Sequence, residues 1–190
     1  MSDIDANLVA QAVAAQPGDL RAFDELVRRH QSRVQTNCRY LSGNEEDALD
    51  LTQEVLVKAY FNLKGFEARA GFGTWINRIK VNHCLNHLRQ NKNRVFVDVQ
   101  DPGLESHDAL RTNNMTDKAA TAGDTRQQIG RVLDSLPESL RVPLILRDMD
   151  GLSYQEIATN LNLGLSAVKM RIKRARAEFR AGYNREQTGG

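Results

Sequence analysis

Between Lys169 and Arg180, six of twelve residues are Lys or Arg, and Glu178 alone opposes them. Side chains of this type neutralise phosphates, and an arginine can also pair a base edge through two hydrogen bonds. Within the stretch, Val168, Ile172, Ala175 and Phe179 recur at intervals of four, three and four. That spacing makes one apolar stripe on a helix, which can pack on Ile157, Ala158 and Leu161. Lys169, Met170, Lys173, Arg174 and Arg176 fall outside it and point away from the core, on a rod whose width suits the major groove of duplex DNA. The competing reading is a basic amphipathic helix that is merely solvated or rests on a lipid surface.

A second run, FGTWINRIKVNHCLNHLR at residues 72–89, changes character halfway. Trp75 and Ile79 begin an inward stripe, and continuing it at helical spacing reaches Asn82 and Asn86. Amides can pair twice with a base edge, and Phe66, Phe72 and Trp75 could stack on unpaired bases. The competing reading is that the aromatics are core and the asparagines surface caps. A third run, NEEDALDLTQEV at residues 44–55, holds five carboxylates and no base. Asn44 suits a helix cap, and Glu45, Glu46 and Asp47 suit the positive end of the helix dipole. Asp50 and Glu54 need another reason, either solvation or a basic protein partner.

His83 and His87 stand four apart, but no third ligand is evident and the glutamate of H-E-x-x-H is missing, so no metal and no cofactor is expected. No phosphate loop or nucleophile elbow appears either, and the chain reads as a non-enzyme. Cys38 and Cys84 read as free thiols of a reducing compartment, with the cytoplasm as default. No segment is long and apolar enough to insert into a membrane.

The elements that must position these groups are helices. The chain has 190 residues with a net charge of only +2, so the basic helix is a local concentration rather than a general excess. Apolar residues recur at helical spacing almost throughout, and FVDVQ at residues 96–100 is the single β-like stretch. The expected fold is all-α: two small helical domains, 1–96 and 125–190, joined by a flexible acidic linker over 97–124 that contains Pro102, Gly103 and Gly123. In the second domain, Ser135 with Glu138 and Ser153 with Glu156 both have capping-box spacing. Gly151 suits the end of a helix, and Asn162 and Gly164 suit a tight turn. The predicted motif is therefore a helix-turn-helix whose second helix is the basic one.

In order and spacing, AFDELVRRHQSRV, DALDLTQEVLVKAY, GFGTWINRIKVNHCLNHLR, LDSLPESLRVPLILRDMDGLSYQEIA and AVKMRIKRAR resemble the extracytoplasmic-function sigma factors of bacterial RNA polymerase. These are small members of the sigma-70 family that carry only regions 2 and 4. The resemblance implies a protein that binds core polymerase and directs promoter-specific initiation, often in a stress response. It implies that Asp47, Asp50, Gln53 and Glu54 dock on the clamp coiled coil of the β′ subunit. It also implies that Phe66, Phe72, Trp75, Asn82 and Asn86 melt and read a single-stranded minus-10 element, and that Lys169, Met170, Lys173, Arg174 and Arg176 read a duplex minus-35 element. The β flap and an anti-sigma factor are the further partners it implies. The alternative is a helix-turn-helix regulator that binds an operator without polymerase.

Overall fold

A computed structural model of the protein describes residues 3–16, 18–67, 70–91 and 122–188. Every regular element among them is helical. The first block contains α1 (Asp3–Ala14), α2 (Arg21–Ser42), α3 (Glu45–Asn62), a 3₁₀ turn at Leu63–Gly65, and α4 (Phe72–Asn91). The second contains α5 (Ala122–Ser135), α6 (Glu138–Asp148), α7 (Tyr154–Leu161) and α8 (Leu165–Thr188).

Local chemistry sets the boundaries. α2 stops at Gly43, whose φ of 74° is left-handed and whose N–H donates to the Arg39 carbonyl at 2.9 Å. One residue later the Asn44 side-chain oxygen accepts from the Glu46 N–H at 2.8 Å and opens α3, with Glu45, Glu46 and Asp47 in the first turn as the helix dipole favours. The capping box at Ser153 forms in full: Ser153 Oγ accepts from the Glu156 N–H, and Glu156 accepts from the Ser153 N–H at 2.8 Å. Those bonds hold the Glu156 carboxyl below its ordinary range.

The parallel expectation at Ser135 fails. Pro137 is the residue that caps α6, while Ser135 Oγ turns back and donates to the Val132 carbonyl at 2.7 Å. Glu138 is then the first residue of its helix rather than the third, so it cannot complete a box. In the next turn Asn162 takes the left-handed conformation, at φ 53°, and Gly164 does not. Gly151 has the positive φ its position suggested, 74°.

Most helices bury one face, whereas α6 is buried all round from Leu140 to Leu146. In the first block, Leu26, Leu41, Val55, Phe72, Ile76 and Leu85 are among the side chains nearly sealed from water; in the second, Val142, Ile145, Ile157, Val168, Ile172 and Ala175 play that part. Burying side chains of this size contributes about 1.5–3 kcal/mol each, which offsets the chain entropy of ordering the helices. Cys38 and Cys84 meet inside the first block with their sulfurs 3.6 Å apart, both thiols free.

The two blocks also pack on one another, α2 against α5 and α6, and α4 against α7, so one apolar cluster runs through both. α5 already begins at Ala122, three residues before the boundary read from composition. The rest of the expected linker, together with FVDVQ, lies outside the described residues.

Candidate nucleic-acid interface

α8 is the basic stretch. Its inner stripe behaves as its spacing requires: Val168, Ile172 and Ala175 are buried and Phe179 is partly so. Ile157, Ala158 and Leu161 of α7 are buried in the same cluster. Lys169, Met170, Lys173 and Arg174 are exposed, Met170 to 65%. Arg174 Nε donates to Glu178 at 2.7 Å along the helix, an exposed pair that a phosphate or a base could replace at little cost. Arg176 differs from the others. It donates to Asp148 of α6 at 2.9 Å through Nε, and that hydrogen bond pushes its guanidinium further up from an already high value. Together with Ile129, Leu133 and Phe179 it lines an open cavity of about 430 Å³ between α5, α6 and α8. Its position therefore ties α8 to α6 rather than presenting it with the other four.

α4 carries the amides. Asn82 and Asn86 are exposed, on the stripe that Trp75 and Ile79 begin half-buried. No hydrogen bond forms to the Asn82 amide among the described residues, whereas Asn86 Oδ1 accepts from Arg89 at 2.7 Å. At the start of α4, Phe66 and Trp75 meet edge to face at 5.3 Å, and both lean on Phe72. Phe72 itself is 1% exposed and packs on His30. Its expected contact with bases is therefore corrected to a core role: it supports the two aromatics whose edges reach the surface.

α3 carries the acids, and its carboxylates divide. Asp50 and Gln53 are exposed. Asp47 Oδ2 lies 3.5 Å from His87 Nε2, and Glu54 Oε2 lies 2.7 Å from His83 Nε2. On its other nitrogen His83 meets Lys58 Nζ at 2.6 Å. Burial, and then the Lys58 charge, push the His83 pKa below its ordinary value. A neutral ring whose Nδ1 accepts from Lys58 fits this geometry, while Nε2 lies close to Glu54 but is buried without a well-formed hydrogen bond. The two histidines thus brace α3 on α4. Among the described residues no group of three or more His, Cys, Asp or Glu is placed to hold a metal ion.

Two features escaped the sequence reading. Leu49, Val57 and Phe61 join Gln53 at intervals of four to make a row on the outer face of α3, exposed to 47%, 52% and 76% at the three apolar positions. The signal for it was an apolar repeat out of phase with the core stripe of Ala48, Leu51, Val55 and Ala59. The other feature is Lys80, a charged residue with no exposure at all, for which spacing gave no warning.

Residues 26–94 match the family described as Sigma-70 region 2, and residues 126–179 match Sigma-70, region 4. The chain is 37% identical over 166 residues to the ECF RNA polymerase sigma-E factor of Escherichia coli strain K12, covering 85% of this chain and 86% of that one. It is 34% identical over 165 residues to the RNA polymerase sigma-H factor of Pseudomonas aeruginosa, with the same coverage. Among solved structures it is similar to CnrH in complex with the cytosolic domain of CnrY, with a TM-score of 0.54 and 28% identity over 94% of this chain and 96% of that one. The sigma factor RpoE in complex with the anti-sigma factor NepR from Bartonella quintana shares the fold, with a TM-score of 0.54 and 21% identity over 85% of this chain and 96% of that one.

Proposed function

Because the chain belongs to the extracytoplasmic-function sigma factors of the sigma-70 family, with regions 2 and 4, we propose that its three exposed faces divide the work of promoter recognition. Sigma factors of this family are non-catalytic subunits that bind core RNA polymerase and direct transcription initiation. Asp50, Gln53 and Glu54, with the apolar row Leu49, Val57 and Phe61 beside them, dock on the β′ clamp coiled coil. A basic partner meets the carboxylates while the row supplies apolar area, the mixture that stable interfaces use.

Asn82 and Asn86 read minus-10 bases once the strands have separated, with Trp75 and Phe66 stacking beside them. Lys169, Met170, Lys173 and Arg174 enter the major groove of the minus-35 duplex. The cavity under Arg176 and Phe179 is an apolar seat for the β flap. An anti-sigma factor is proposed as a further partner by similarity to the two complexes.

The observation that carries this reading is the exposure of the Asn82 amide beside half-buried aromatics. A regulator that binds only duplex DNA has no use for such a face. The test is to add the purified protein to core polymerase and map start sites on a promoter library. Initiation should become promoter-specific and depend on this chain. Tight operator binding without core, and no new start sites, would favour the helix-turn-helix regulator instead.

A further inference from the structure

Promoter recognition, divided among three exposed faces, gives no task to the thiols of the first block. Cys38 of α2 and Cys84 of α4 come from 46 positions apart in the chain and meet with their sulfurs at 3.6 Å, both with 0% exposure. The Cys84 S–H donates to the Cys38 sulfur. That hydrogen bond, helped by the Lys80 charge, pulls the Cys38 thiol below its ordinary range against the opposing effects of burial and of Asp150. The same bond, with burial, pushes the Cys84 thiol up. Lys80 stands one turn before Cys84 on α4, with its Nζ 2.5 Å from Asp150 Oδ1 and neither side chain exposed. The two thiols are therefore unequal: Cys38 is the better thiolate, and Cys84 keeps its proton.

We propose that Cys38 and Cys84 form a reversible redox pair, in which hydrogen peroxide oxidises Cys38 and Cys84 then closes a disulfide that staples α2 to α4. In the first step the Cys38 thiolate attacks one oxygen of the peroxide and the O–O bond breaks. Cys38 becomes a sulfenic acid, and the other oxygen leaves as hydroxide, which takes the proton Cys38 gave up and becomes water. In the second step the Cys84 sulfur attacks the Cys38 sulfur and the S–O bond breaks. The departing hydroxide carries off the Cys84 proton as a second water. Two thiols lose two electrons, and one peroxide gains them. A disulfide bond is about 2.05 Å long, so the sulfurs must approach by about 1.5 Å, a distance side-chain rotation can supply.

Burial favours the disulfide over deeper oxidation. A sulfinate at Cys38 would place an unpaired charge where there is no water, whereas Cys84, already in contact, intercepts the sulfenic acid first. Burial also sets the rate. Peroxide reaches the sulfurs only as the helices open locally, so the pair answers sustained rather than brief exposure. Transient oxidation is the ordinary use of a disulfide in a reducing compartment. The bond closes a loop that contains all of α3, so it restricts the unfolded chain and stabilises the first block.

The test exposes the full chain, folded, to hydrogen peroxide and reads the products by intact mass, peptide mapping and melting temperature. The parent should lose about 2 Da, yield one peptide pair joined through Cys38 and Cys84, and melt higher; dithiothreitol should reverse all three. Cys84→Ala leaves Cys38 without its resolving partner. After prolonged exposure it should gain about 32 Da as the sulfinic acid, melt lower than before treatment, and stay so with dithiothreitol. Cys38→Ala, which keeps only the protonated thiol, should react about tenfold more slowly than Cys84→Ala. Melting curves before treatment show whether each variant is folded, and Cys38→Ser and Cys84→Ser repeat the comparison for any that is not. Parent thiols that survive in the folded protein, a disulfide formed only between two chains, sulfinic acid on the parent, an unraised melting temperature, or equal rates in the two single variants would each overturn the redox pair. The promoter reading stands or falls separately, since neither polymerase nor DNA enters the test.

Discussion

At the scale of single residues, Asn82 and Arg174 have the roles most open to measurement, because neither is needed to hold the fold. If Asn82 meets its base only after melting, Asn82→Ala should leave duplex binding and polymerase docking unchanged. It should disfavour promoter opening by about 1–3 kcal/mol, the worth of a two-bonded base contact. Permanganate reactivity of unpaired thymines follows that directly. A template already mismatched over the minus-10 element should rescue the variant only in part, since the base is then unpaired but still unread. Arg174→Ala should cost about 1–3 kcal/mol at the preferred minus-35 sequence and relax discrimination there, while Lys169→Ala should weaken all sequences alike if it anchors on phosphate. Competition binding against a panel of duplexes separates the two patterns. Arg176→Ala, in contrast, removes the tie to Asp148 and should appear first in stability.

At the scale of helices, the bracing of α3 on α4 makes a pH prediction. Above the ordinary imidazole value of 6.5, the folded and unfolded chains both hold His83 neutral. Below it the unfolded chain takes up a proton that the folded chain resists, because burial and Lys58 disfavour the charged ring more than Glu54 favours it. Stability should therefore fall as pH drops from about 6.5, and His83→Gln should flatten that limb of the profile. Denaturant midpoints of parent and variant across the range measure this, and parallel profiles would remove His83 from the account. The same bracing decides which acidic residue is the cleaner probe of docking. Asp50→Lys should weaken core-polymerase binding with an unchanged melting temperature, whereas Glu54→Lys also places a cation beside His83 and Lys58. Titration of each variant against labelled core polymerase, next to its melting curve, distinguishes the cases. On α7, Ser153→Ala should cost about 1 kcal/mol by removing the cap; Ser135→Ala, whose hydroxyl only returns to its own helix, should cost less.

For the molecule as a whole, the junction predicts association without a connecting chain. A protease site placed at Gly103 and cut to completion should leave two fragments that elute together in size exclusion. The Arg39–Asp134 ion pair and the Tyr40 hydroxyl donating to the Arg126 carbonyl at 3.5 Å do not depend on the chain between the blocks. Raising salt should screen the exposed Arg39 links far more than the buried Lys80–Asp150 pair, so dissociation should need more than moderate ionic strength. Fragments that separate at once at low salt would mean that the linker, rather than the interface, keeps the blocks together.

Sequence alone determined the helical class, the helix-turn-helix with its Ser153 cap, and the exposed charge of Lys169, Lys173 and Arg174. Each follows from local periodicity or from a bond made within a few residues. It also identified the amide face, since Asn82 and Asn86 continue a stripe that Trp75 begins. Tertiary structure decided what depends on residues far apart in the chain. Phe72 is core because His30, Phe66 and Trp75 close over it, Arg176 is a tie because Asp148 lies opposite, and Lys80 is buried because Asp150 arrives from seventy positions away. A lysine flanked by the half-buried Ile79 and the buried Val81 reads as solvated in any local window; only the fold brings the carboxylate that lets it stay inside.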